Sequence, residues 1–170
     1  MRHWTDRLPA NACSEGRAWA RTQPSMRVAW ATCLRGDWML WLAGSLAGGP
    51  WSDSRRPLVL AACGCARLAL PYVRAGEYRP RLAIETAEAW ARGDAGATPQ
   101  MVRDAYAAAV AAVADADAHA ADAAYAYADA DAAAHAAAAA QGARVLAECA
   151  DIVRQHYPRA PRRARKGETR

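Results

Sequence analysis

Phenylalanine is absent from the 170 residues, and Leu, Ile and Val together number only 21, about 12 % of the chain. So few large apolar residues signal disorder when net charge is high, but the formal net charge here is only +5. Seven tryptophans (Trp4, Trp19, Trp30, Trp38, Trp41, Trp51 and Trp90) supply the missing apolar surface. No apolar run of signal-peptide length opens the chain, which begins MRHWTDRLPA. No stretch approaches the ~18 uncharged apolar residues of a membrane span, apart from alanine-rich ones broken by Asp. The five cysteines (Cys13, Cys33, Cys63, Cys65 and Cys149) are odd in number and form no disulfide framework. A reducing, cytoplasmic compartment is therefore expected. Also missing are a P-loop, a glycine-rich dinucleotide turn and a G-x-S-x-G elbow. The expectation is a binding protein rather than an enzyme, with no catalytic residues, no metal and no cofactor.

What is present is alanine, about half of the 54 % hydrophobic fraction, and alanine is the best helix former. Charge is divided along the chain. Residues 1–103 carry 14 Arg and 8 acids, residues 104–158 carry 2 Arg and 8 acids, and residues 159–170 carry six basic residues and Glu168. The basic balance belongs to the ends, and the alanine-rich segment is acidic. A partner of that segment should be basic, and not nucleic acid.

Start and stop signals divide the first part into helices. Ser14 can cap a short helix through Thr22, stopped at Gln23-Pro24. A second runs from Ser25 to about Leu34 and breaks at Arg35-Gly36. Asp37 can cap a third, carrying Trp38, Leu40, Trp41, Leu42 and Leu46, which Gly48-Gly49-Pro50 stops. Ser52 or Ser54 can cap a fourth, with its body from Leu58 to Leu70 and its end at Pro71. Pro80 suits the first turn of a fifth, which runs through Trp90 and closes at Gly93.

Thr98-Pro99 starts a helix strongly, and nothing clearly stops it before Tyr157-Pro158. A single helix of that length would measure about 87 Å, against some 30–40 Å for a domain of this size. The segment must therefore bend back. Gly142 and the Asp115–Asp122 region are the candidate hinges, the latter because Asp favours turns. The alternation in ADADAHAADAAYAYADADA is not a strand, since Ala and Asp are both depleted there. This segment has little apolar surface of its own and should depend on docking to the Trp/Leu-rich part. The expected architecture is all-α: one multi-helix domain over residues 1–158, with Trp/Leu-rich helices at 12–93 and a long alanine-rich helix or helical hairpin at 98–157. A disordered basic tail is expected at 159–170.

Asp115, Asp122 and Asp129 lie at heptad spacing with His119 between the first two, and Asp131 and His135 form an i, i+4 pair. Asp115, His119 and Asp122 could ligate a metal, but one helix rarely supplies a full shell, and a solvated acidic face is the plainer reading. Cys63-Gly64-Cys65 lacks the two-residue spacer and partner pair of a zinc site, and is read as buried helix cysteines. Arg79 and Arg81 stand at a helix start, where cations are disfavoured. That suggests an acidic internal partner, while Arg81 with Glu85 fits an ordinary surface pair.

Three segments carry a family resemblance: Trp30-x-x-Cys33-x-Arg35-Gly36-Asp37-Trp38-Met39-Leu40-Trp41-Leu42; Ala62 to Pro71 (ACGCARLALP); and Arg79-Pro80-Arg81-Leu82-Ala83-Ile84-Glu85-Thr86-Ala87-Glu88-Ala89-Trp90. With the alanine-rich stretch they resemble the fifth-type and fifth-type-like immunity proteins of bacterial polymorphic toxin systems, over roughly residues 12–157. The resemblance implies an all-helical protein that binds and neutralises a cognate toxin. It implies no catalytic residues, and it gives Asp37, Trp38, Arg79, Arg81 and Glu85 as recurring, structural positions. The acidic residues Asp115, Asp122, Asp129 and Asp131 are the candidate contact set for a basic toxin such as a nuclease. Two other readings compete: a nucleic-acid-associated accessory protein acting through the Arg-rich tail, and a metal-dependent enzyme built on the Asp/His pairs.

Overall fold

The structure, a computed structural model, describes residues 3–124 and 131–162, with side chains described for 3–112 and 141–162. The described residues form seven α-helices and no strand, so the all-α expectation holds. The helices are α1 (Ser14–Arg21), α2 (Met26–Thr32), α3 (Gly36–Leu46), α4 (Arg56–Arg67), α5 (Arg79–Arg92), α6 (Pro99–Ala124) and α7 (Asp131–His156). Short 3-10 turns at Trp4–Arg7, Asp53–Arg55 and Leu70–Tyr72 link them.

Several boundaries follow the sequence signals. Ser25 Oγ accepts from Val28 N at 3.3 Å at the head of α2, and Thr98 Oγ1 accepts from Met101 N at 3.3 Å at the head of α6. Gly93 ends α5 at φ +81°, the left-handed conformation that an L side chain rarely adopts. Elsewhere the caps differ. Cys13, not Ser14, precedes α1, and its Sγ accepts from Gly16 N at 3.3 Å. Asp37 does not cap α3, because it lies inside the first turn and its carboxylate is taken by Arg35. Ser52 and Ser54 close the preceding loop instead of capping α4: Ser54 Oγ accepts from Gly48 N and Ser52 Oγ donates to Gly49 O. Helix α4 stops at Arg67, short of Leu70, and Pro71 falls in the 3-10 turn that follows.

In the alanine-rich segment the described helices are α6, to Ala124, and α7, from Asp131; residues 125–130 lie outside the described residues. Both expected hinges are therefore corrected: Asp115–Asp122 lies within α6 and Gly142 within α7. A glycine costs a helix interior only about 1 kcal/mol, which the alanines around Gly142 readily absorb. Helix α6 packs on α5, whereas α7 packs on α3 and α4.

The core forms where α7 crosses α2, α3 and α4, and contains Trp30, Cys33, Met39, Leu42, Ala61, Ala150 and Val153. Two glycines permit the approach. A Cβ on Gly36 would stand 2.4 Å from Cys149 Cβ and 2.7 Å from Ala150 N, and one on Gly64 would stand 2.8 Å from Ile152 Cγ2. Small residues bring α7 so close that Ala150 and Val153 have no exposed surface. Hydrogen bonds then fasten its end. Trp30 Nε1 donates to Tyr157 O at 2.9 Å, and the Arg154 guanidinium donates to Trp30 O at 3.2 Å and to Cys33 O. Ala160, inside the expected tail, still packs against the core. A second aromatic cluster anchors the α5–α6 pair to the loop after α3. Trp51 meets Trp90 edge-on at 5.2 Å, Arg103 lies 5.3 Å over Trp51, and Arg56 lies 5.8 Å over Trp90.

Candidate functional site

Pro80 in the first turn of α5, the left-handed Gly93 and the Thr98-Pro99 start of α6 set the α5–α6 pair. Among its described residues Ile84, Trp90, Ala91 and Ala112 are buried. Larger apolar side chains remain outside: Tyr78 is 68 % exposed, Leu82 47 %, Tyr106 67 % and Val110 49 %. Tyr106 and Val110 are four residues apart and share one side of α6, Leu82 is on α5, and Tyr78 is the residue just before α5.

The recurring positions fall on two helices. Asp37 and Trp38 belong to α3. Asp37 accepts from Arg35 through both oxygens, at 2.9 and 2.7 Å, and this pairing holds its carboxyl below the usual range. The Arg35 guanidinium also lies 4.2 Å over the Trp38 ring and reaches Glu15 at 3.2 Å. Arg79, Arg81 and Glu85 belong to α5. Arg79 finds an acid two residues back: Glu77 receives its backbone N–H and its guanidinium, which draws the Glu77 carboxyl down to about 2. That local acid offsets the unfavourable charge at the helix start. Arg81 and Glu85 are both exposed, and among the described residues no ion pair joins them. The expected surface pair is thus not formed.

Sequence reasoning missed the ion pair that ties α4 to α5. Arg67 donates to both Glu88 oxygens at 2.8 Å, Arg92 stands 3.6 Å from the same carboxylate, and Glu88 is held below its usual pKa chiefly by Arg67. The Glu88–Arg92 spacing was the only local signal, because Arg67 is 21 residues away.

Side chains of Asp115, His119, Asp122, Asp131 and His135, all of Asp129, and tail residues 163–170 lie outside the described residues. Among the described residues no cluster of three or more His, Cys, Asp or Glu could hold a metal. All five cysteines are free. Cys63 and Cys65 point apart: Cys63 Sγ approaches Ile84 O on α5, and Cys65 Sγ approaches Cys149 O on α7, both at 3.7 Å. Burial pushes the Cys63 thiol up to about 11 and raises those of Cys33 and Cys65, so these are packing groups rather than nucleophiles. No described helix is long and apolar enough to cross a membrane.

A groove of about 480 Å³ lies between the N-terminal 3-10 turn, α1, α2 and α3. Tryptophans dominate its walls, with Arg35, Asp37 and Glu15 at its edge. Comparison of the chain with protein-family models, with curated proteins and with solved structures finds no match in any of the three.

Proposed function

We propose that this chain is an immunity-type protein that binds and neutralises a cognate toxin in the cytoplasm. The supporting observation is the exposure of Tyr78 just before α5, Leu82 on α5, and Tyr106 and Val110 on α6, which offer the aromatic and aliphatic anchors that protein interfaces use. The three segments that resemble the immunity family supply α2–α3, α4 and α5, the frame on which that surface is built. Further along the chain, Asp115, Asp122, Asp129 and Asp131 add negative charge for a basic partner such as a nuclease, which would speed association and make it salt-sensitive.

Co-expression with each toxin-like product encoded beside this chain tests the reading. One product should be neutralised and should co-purify. Replacing Leu82 and Tyr106 together by Glu should weaken that complex by about tenfold or more while leaving thermal stability nearly unchanged. If no neighbouring product binds, and growth is protected against none of them, the proposal is wrong.

A further inference from the structure

The tryptophan-lined groove has a floor, walls and a charged mouth. Its volume of about 480 Å³ lies within the range of small-molecule sites. Trp30 and Met39, 5 % and 2 % exposed, form the floor. The Trp30 indole N–H is already used on Tyr157 O, and that of Trp4 on Gln23 O at 2.9 Å, so both rings offer the groove carbon surface. Trp19 and Trp38 pack against each other, with centroids 5.8 Å apart and planes at 52°, and with Trp41 they line the wall of the groove.

Charge at the mouth decides what could enter. Arg35 is matched by the two-point contact with Asp37 and covers Trp38. Glu15 receives one 3.2 Å contact from Arg35, its side chain is 72 % exposed, and it retains acceptor capacity. The three groups sum to a net charge of −1. An entering anion would meet two carboxylates and a guanidinium already engaged by both. An entering cation would meet the electron-rich faces of Trp19 and Trp41, over which no described cation lies.

We infer that this groove is a binding site for a small organic cation, an ammonium or guanidinium group carried on an apolar body. The apolar body fills the floor over Trp30 and Met39, and the cation rests against Trp19 and Trp41 on the side of Glu15. This inference is independent of toxin binding.

Titration calorimetry of the full chain with benzyltrimethylammonium, benzyl alcohol and phenylacetate tests it. The cation should bind about tenfold more tightly than the neutral alcohol, and phenylacetate should bind most weakly. Glu15→Gln, at an exposed position, should remove several-fold of the cation's affinity and leave the alcohol unchanged. Trp19→Ala should weaken the cation further, with circular dichroism confirming the fold. The inference is overturned if the cation shows no binding up to about 10 mM, if it binds no better than the alcohol or phenylacetate, or if Glu15→Gln leaves its preference intact.

Discussion

Helices α6 and α7 are both 26 residues long and share an alanine-rich composition, yet they occupy different environments. The end of α7 is core, with Cys149, Ala150 and Val153 at 8 %, 0 % and 0 % exposure. The described turns of α6 rest on α5 with Met101, Tyr106 and Val110 about half exposed or more. Helix propensity is similar in both, so it cannot account for the contrast. The difference lies in the partner surface. Gly36 lets α3 meet the backbone of α7 and Gly64 lets α4 meet its Ile152 side chain, while α6 packs chiefly on α5 among the described helices.

The contrast can be broken most severely at Gly36. In Gly36→Ala the new methyl meets backbone of α7, which cannot swing aside, and chemical denaturation should show a loss of about 3 kcal/mol. Gly64→Ala should cost less, because Ile152 Cγ2 can move by changing rotamer. Val153→Ala leaves a cavity at a fully buried site and should cost about 2 kcal/mol in the same assay.

The Arg67–Glu88 pair should contribute about 1 kcal/mol, the upper end for partly exposed ion pairs. Its pH dependence follows from the depressed Glu88 pKa. The contribution is complete above the unfolded value near 4.5 and disappears as pH falls through the lower folded value. Urea unfolding of Glu88→Gln against the parent should therefore show a gap at pH 7 that closes as the pH falls below the ordinary glutamate range. The smallest effect is expected on α6, where Tyr106→Ser or Val110→Ser should change stability by no more than about 0.5 kcal/mol. A loss comparable to that of Val153→Ala would mean that the outer side of α6 is covered, contrary to its exposure.

Local chemistry made much of the fold legible. Pro80, Gly93 and Thr98-Pro99 act through their own backbone preferences, so α5 and the start of α6 could be read directly. The continuation of α6 through Asp115–Asp122 and of α7 through Gly142 could not, since alanine supplies no apolar period to lose at a boundary, and Asp and Gly in such a run are tolerated within the helix. Gly36 read as a breaker. Its necessity comes from Cys149 and Ala150, over a hundred residues away. The candidate sites were less legible still. Asp37 and Trp38 were singled out, but Arg35, which binds one and covers the other, was taken only as part of a break. Glu15 and Trp19 join that group only through the packing of α1 against α3.

The bond from the Trp30 indole to Tyr157 O spans 127 positions, which sets an order of events during synthesis. A ribosome adding roughly 5–20 residues per second needs about 6–25 s to travel from Trp30 to Tyr157. From the time each is made until α7 follows, the faces of α2, α3 and α4 that α7 will cover are uncovered in the nascent chain. They are then available to chaperones, and to self-association between neighbouring chains on one messenger.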